Sequence, residues 1–218
     1  MENTIGVPNH TPSFRGRRAL IWIPFGLAFL FILTGKWNLQ FGKFLGPEGF
    51  LPLDLPQIEM ITGIGRLVLF LSPIIAGIIT DILGGRRTLL FAMGGIALSN
   101  ALLGGILMGS IQWQWNIPLP LFFGILFAIN MHFQSYAILS IVKIHARWFH
   151  VRERGGFATI LGLMLSIFAF FSIEGVTALS TSTRETPSSD PGFLEHFFRQ
   201  TLGTGGEPWW LFFLPALL

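Results

Sequence analysis

Four ionisable residues stand within or at the ends of long apolar runs in this sequence: Lys36, Arg66, His132 and Glu174. A charge at the depth of a hydrocarbon layer is costly, so such a residue normally faces a partner, a cavity or the headgroups. The chemistry open to these four is ion pairing, solute binding and proton transfer. Catalysis is not indicated, because no Ser/His/Asp set, His/Glu metal spacing or phosphate-cradling glycine loop occurs in a credible setting. The chain has no cysteine, which removes disulfides, thiolate metal sites and cysteine nucleophiles. Neither an enzyme, a cofactor nor a metal is therefore expected.

Each of the four has a bland reading beside a functional one. Lys36 lies near the end of its apolar run, where it either snorkels to the headgroups or contacts a solute. Arg66 is about 15 residues from Asp81, or roughly 22 Å along a helix. Glu174 is a similar distance beyond Arg154, so the matching depths predict an Arg66–Glu174 ion pair that serves packing, or proton or solute coupling. His132, flanked by Asn130 and Gln134, makes its segment locally polar. It is either satisfied by a neighbouring helix or binds a solute or proton.

The elements that must position these groups are membrane spans. Hydrophobic residues make up 51% of the chain and charged residues only 11%, against about 25% charged in soluble domains; the mean hydropathy is +0.63. A span needs roughly 20 mostly apolar residues. Ala19–Thr34 is free of charge and continues through Lys36 to Phe41. Gly42–Pro56 is a Gly/Pro-rich turn, and Gln57–Leu83 is a second span. Thr88–Val142 contains no Asp, Glu, Lys or Arg and breaks at Ser110–Pro120, giving two more, and Gly155–Leu179 is the fifth.

The organisation expected is thus an all-α membrane protein: a tail over 1–18, five spans within 19–179, an extracytoplasmic loop over 180–207 and the start of a sixth helix over 208–218. In the loop, Phe193, Leu194, Phe197, Phe198 and Leu202 have the spacing of a short interfacial helix. The last run, Pro208–Leu218, reaches only about 16 Å as a helix and cannot cross alone.

Basic residues give the orientation. Nine of them (Arg15, Arg17, Arg18, Arg86, Arg87, Lys143, Arg147, Arg152, Arg154) fall on one side of this scheme and three (Lys43, Arg184, Arg199) on the other. The crowded side, with the N-terminus, is expected to be cytoplasmic. This distribution accounts for the net charge of +3 without nucleic acid.

Two segments on that side have distinctive order. Gly77-Ile78-Ile79-Thr80-Asp81-Ile82-Leu83-Gly84-Gly85-Arg86-Arg87 ends the second span. Gly77 allows close helix approach, Gly84 and Gly85 a tight turn, Arg86 and Arg87 contact with anionic headgroups, and Asp81 a switchable charge. The bland reading is a positive-inside hairpin with an incidental acid. Lys143, followed by Arg147-Trp148-Phe149-His150-Val151-Arg152-Glu153-Arg154-Gly155-Gly156, joins the fourth and fifth spans. Trp148 and Phe149 suit the interface, and Glu153 can pair with a neighbouring arginine; headgroup anchoring alone is the competing account.

The first segment resembles the loop signature of the major facilitator superfamily, G-x-L-x-D-x-x-G-R/K-R/K. The second is similar to the W-W/F-x-x-x-E-R-G-G string of the organophosphate:phosphate antiporter branch. With the spans, the resemblance covers Arg18 to about Leu179, roughly three quarters of the chain. It implies the N-terminal six-helix bundle of a major facilitator fold, its sixth helix incomplete, in the cell (inner) membrane. The implied activity is secondary active transport of a small polar or anionic solute, with a second half-transporter chain or a C-terminal half as partner. It further implies that Asp81 joins a charge network holding a cytoplasmic gate closed. Where the antiporter branch carries basic phosphate-binding residues, this chain has Pro73, Leu165 and Gly35, the last with Lys36 beside it. The rival from another class is a non-transporting subunit or scaffold of a larger membrane complex.

Overall fold

The structure is a computed structural model that describes residues 53–146, 154–182 and Phe193. Four long helices account for nearly all of them: α1 (Leu55–Leu83), α2 (Gly85–Gln112), α3 (Leu119–Ala146) and α4 (Arg154–Ser182). No strand occurs among the described residues. The first three, of 29, 28 and 28 residues, are long and apolar enough to cross a membrane; at 1.5 Å per residue each is roughly 42 Å long. The expected spans over Ala19–Phe41 and from Pro208, and the short helix after Phe193, lie outside the described residues.

Local chemistry sets the boundaries. α1 starts two residues before the expected Gln57, because Pro56 fits a first helical turn, where its missing N–H has no intrahelical partner to lose. Gln57 Oε1 accepts the Asp54 N–H at 3.1 Å. α1 and α2 are separated by one residue, Gly84, at φ +81° and ψ 151°, a conformation open essentially to glycine alone. Gly84 donates its N–H to Thr80 O at 3.0 Å and accepts from Thr88 N at 3.2 Å.

The break expected within Ser110–Pro120 falls between Gln112 and Leu119. There Trp113 N and Trp115 N both donate to Gly109 O, at 3.1 and 3.2 Å, and the Trp115 ring covers Gly109 so closely that no side chain fits. α4 runs to Ser182, so the loop expected from Ser180 begins later than its Ser/Thr content suggested.

α3 is the central helix, packed along both α1 and α2, which touch each other only slightly. One apolar cluster gathers Ile61, Leu103, Leu107, Leu119, Phe123, Phe127 and Met131; the other gathers Ala76, Ala92, Ile96, Tyr136 and Ala137. Glycines permit the contact: a Cβ on Gly65 would lie 2.5 Å from Phe127, and one on Gly95 would collide with the Phe133 ring. The opposite face of α1 is a bare apolar ridge of Phe70, Ile74, Ile78 and Ile82, each more than 60% exposed. Water would penalise such a ridge, whereas hydrocarbon or another apolar helix accepts it.

Candidate functional site

The Gly84 turn brings the end of α1 against the end of α3. Asp81 stands three residues before Gly84, and Lys143 three residues before the last residue of α3. Lys143 Nζ lies 2.6 Å from Asp81 Oδ1 and donates to Thr80 O at 2.8 Å. Thr80 O, in the last turn of α1, already accepts the Gly84 N–H and takes the lysine on its second lone pair, at a helix end where the dipole favours a cation. The lysine is thus held by an acid and a helix end together. Lys143 is 28% exposed and Asp81 80%, so the bond is partly open to water.

The residues of the first segment divide their tasks differently from expectation. Gly84 does make the turn. The close approach expected at Gly77 occurs instead at Gly85, where a Cβ would meet Ser140 O at 3.0 Å and Ile144 Cγ1 at 2.9 Å. Nothing described lies within 4 Å of a Cβ on Gly77, because Ala76 and Thr80 occupy the buried face and Gly77 is rotated about 100° from Ala76. Arg86 and Arg87 are exposed. Arg154 opens α4, while Arg147 and Glu153 lie outside the described residues, as does Lys36.

At mid-helix the polar group on α3 splits between two neighbours. His132 Nδ1 and Ser72 Oγ on α1 are 2.7 Å apart, and the Tyr136 ring stands edge-on to the imidazole at 4.9 Å. Asn130 and Gln134 turn to the other side. Asn130 Nδ2 donates to Ser99 Oγ on α2 at 2.7 Å, and Gln134 Nε2 donates to Asn130 Oδ1 at 2.8 Å. Ser99 Oγ carries the chain on to Ile96 O at 3.0 Å, an acceptor that Asn100 Nδ2 shares at 3.0 Å. Four residues along a helix share a face and two do not, which explains the division.

Arg66 and Glu174 do not form the pair their depths predicted. Both are exposed, and no ion pair joins them among the described residues. On α1 the face toward α3 is carried by Gly65 and its neighbours, which leaves Arg66 pointing away.

Ser72, Ser99, Asn100 and the partner role of Lys143 were not singled out from sequence. A signal for the first existed: Ser72, Ala76 and Thr80 recur every four residues, a small-residue stripe of the kind that lines membrane helix contacts. Comparison with protein-family models, curated proteins and solved structures gives no match to this chain.

Proposed function

We propose that these helices belong to the first half-bundle of a major-facilitator-type secondary transporter in the cell (inner) membrane, N-terminus cytoplasmic. It carries a small polar or anionic solute by alternating access. The observation that carries this reading is the Asp81–Lys143 bond, which ties the acid of the first signature-like segment to the lysine that leads into the second. Exposed ion pairs contribute on the order of 0–1 kcal/mol, so the bond can open within a transport cycle at little cost. While formed, it ties the α1–α2 turn to α3 and closes that end of the bundle. Asp81, Gly84 and Lys143 are then gate residues. His132, half-buried and held by Ser72, is the described mid-helix candidate for solute or proton contact. A second half-bundle, on this polypeptide or another, completes the enclosure.

One observation favours the rival reading of a non-transporting subunit: Arg66 and Glu174 do not assemble a charged site at mid-depth. Reconstitution separates the two. The full chain is placed in liposomes alone and with its neighbouring gene product, and uptake is measured for inorganic phosphate, sugar phosphates, carboxylates and amino acids. Uptake of one class, abolished or slowed by Asp81→Asn, is the expected result. Stable co-purification with a larger complex, without uptake in any pairing, counts against transport.

A further inference from the structure

We propose that the expected first span, Ala19–Phe41, docks in an apolar groove between α1 and α3. The groove has a volume of about 330 Å³, within the range of small-ligand pockets, yet no polar group orients a solute in it. Met60 and Ile64 on α1 and Ile125 and Ile129 on α3 form its walls, and Gly124 and Ala128 lie between them. It lies at the end of the bundle opposite the Gly84 turn.

The floor identifies the occupant. Gly124 and Ala128 have the small-xxx-small spacing that lets a second helix backbone approach closely in a membrane. The helices already described do not require that glycine: a Cβ on Gly124 would meet only Ile61 Cγ1, at 3.9 Å, ordinary contact distance. Gly65 and Gly95, by contrast, are fully used by Phe127 and Phe133. Gly124 is therefore small for something beyond α1.

The chain supplies a suitable segment. Fifty-two residues precede the described part, and Ala19–Thr34 among them is apolar and uncharged. The stretch from Gly42 to Asp54 delivers the chain to α1 at the groove's own end, and short connections place consecutive antiparallel helices side by side. Phe25, Phe29 and Leu33, four residues apart, offer a ridge of large side chains to the groove. The inference concerns assembly of the bundle and holds independently of the transport reading.

The chain contains no cysteine, so cross-linking needs no prior substitution. Ala128→Cys is combined with single cysteines across Ala28–Lys36, and the full chain in native membranes is treated with a short bifunctional thiol reagent. Intramolecular linking that recurs every third or fourth position is expected. Gly124→Leu should reduce it at least about fivefold, while a Ser72→Cys/His132→Cys pair links as before. No intramolecular linking, or equal linking at every position, overturns the proposal. So does dimer formation by Ala128→Cys alone, which points to a second copy, or labelling of the groove by a photoreactive fatty acid without first-span links, which points to lipid. The pattern with Gly124 intact decides the matter even if Gly124→Leu fails to accumulate.

Discussion

Asp81 and Lys143 are 62 positions apart in sequence, and their charged atoms meet at 2.6 Å. The sequence marks Asp81 by its place in one ordered segment and Lys143 by its place at the head of another, but nothing local pairs residues on two different helices. If the two act as one bond, Asp81→Asn and Lys143→Met should each lower stability in detergent by less than about 1 kcal/mol, and the double variant should cost no more than either single. Thermal unfolding of the four proteins measures this, and additive losses would separate the residues. The glycines of the same segment give a sharper contrast. Gly84→Ala forces a Cβ into φ +81° and should cost about 1–3 kcal/mol. Gly77→Ala, in open space within a helix, should be neutral or stabilising by up to about 1 kcal/mol. Equal effects on the melting temperature would refute the assignment of the turn to Gly84.

Among the elements, apolar run length and charge placement made α1 to α4 legible within a few residues, because a span of this kind is specified by its own composition. Their lateral contacts were not. Asn130, His132 and Gln134 looked like one polar group, and only the 100° step per residue against two different neighbours divides it. The Asn130–Ser99 bond ties α2 to α3 through an interior where water does not compete, and the Gln134–Asn130 bond within α3 holds that amide in place. Asn130→Leu removes both and leaves Gln134 seeking a partner. It should destabilise the bundle by about 0.6–2 kcal/mol. His132→Phe, which breaks only the contact to Ser72, should leave α2–α3 cross-linking unchanged. Loss of that cross-linking in His132→Phe would show that the two polar sets are coupled.

Across the whole molecule, an apolar core around α3 is combined with bare apolar ridges outward and a partly exposed ion pair at the turn end. Such an arrangement is held firmly along its length by apolar packing and lightly at one end, as the proposed gate needs. Ser140, fully buried beside Gly85, lies behind that end and reports whether it opens. The most direct measurement uses Ser140→Cys in the cysteine-free chain in membranes and follows its rate of labelling by a membrane-impermeant maleimide applied to the face that carries the Gly84 turn. Labelling should be slow with Asp81 and Lys143 present, about fivefold faster in Asp81→Asn or Lys143→Met, as loss of roughly 1 kcal/mol implies, and slow again in the Asp81→Lys/Lys143→Asp exchange. Equal rates in all four proteins would contradict a gate held by this bond.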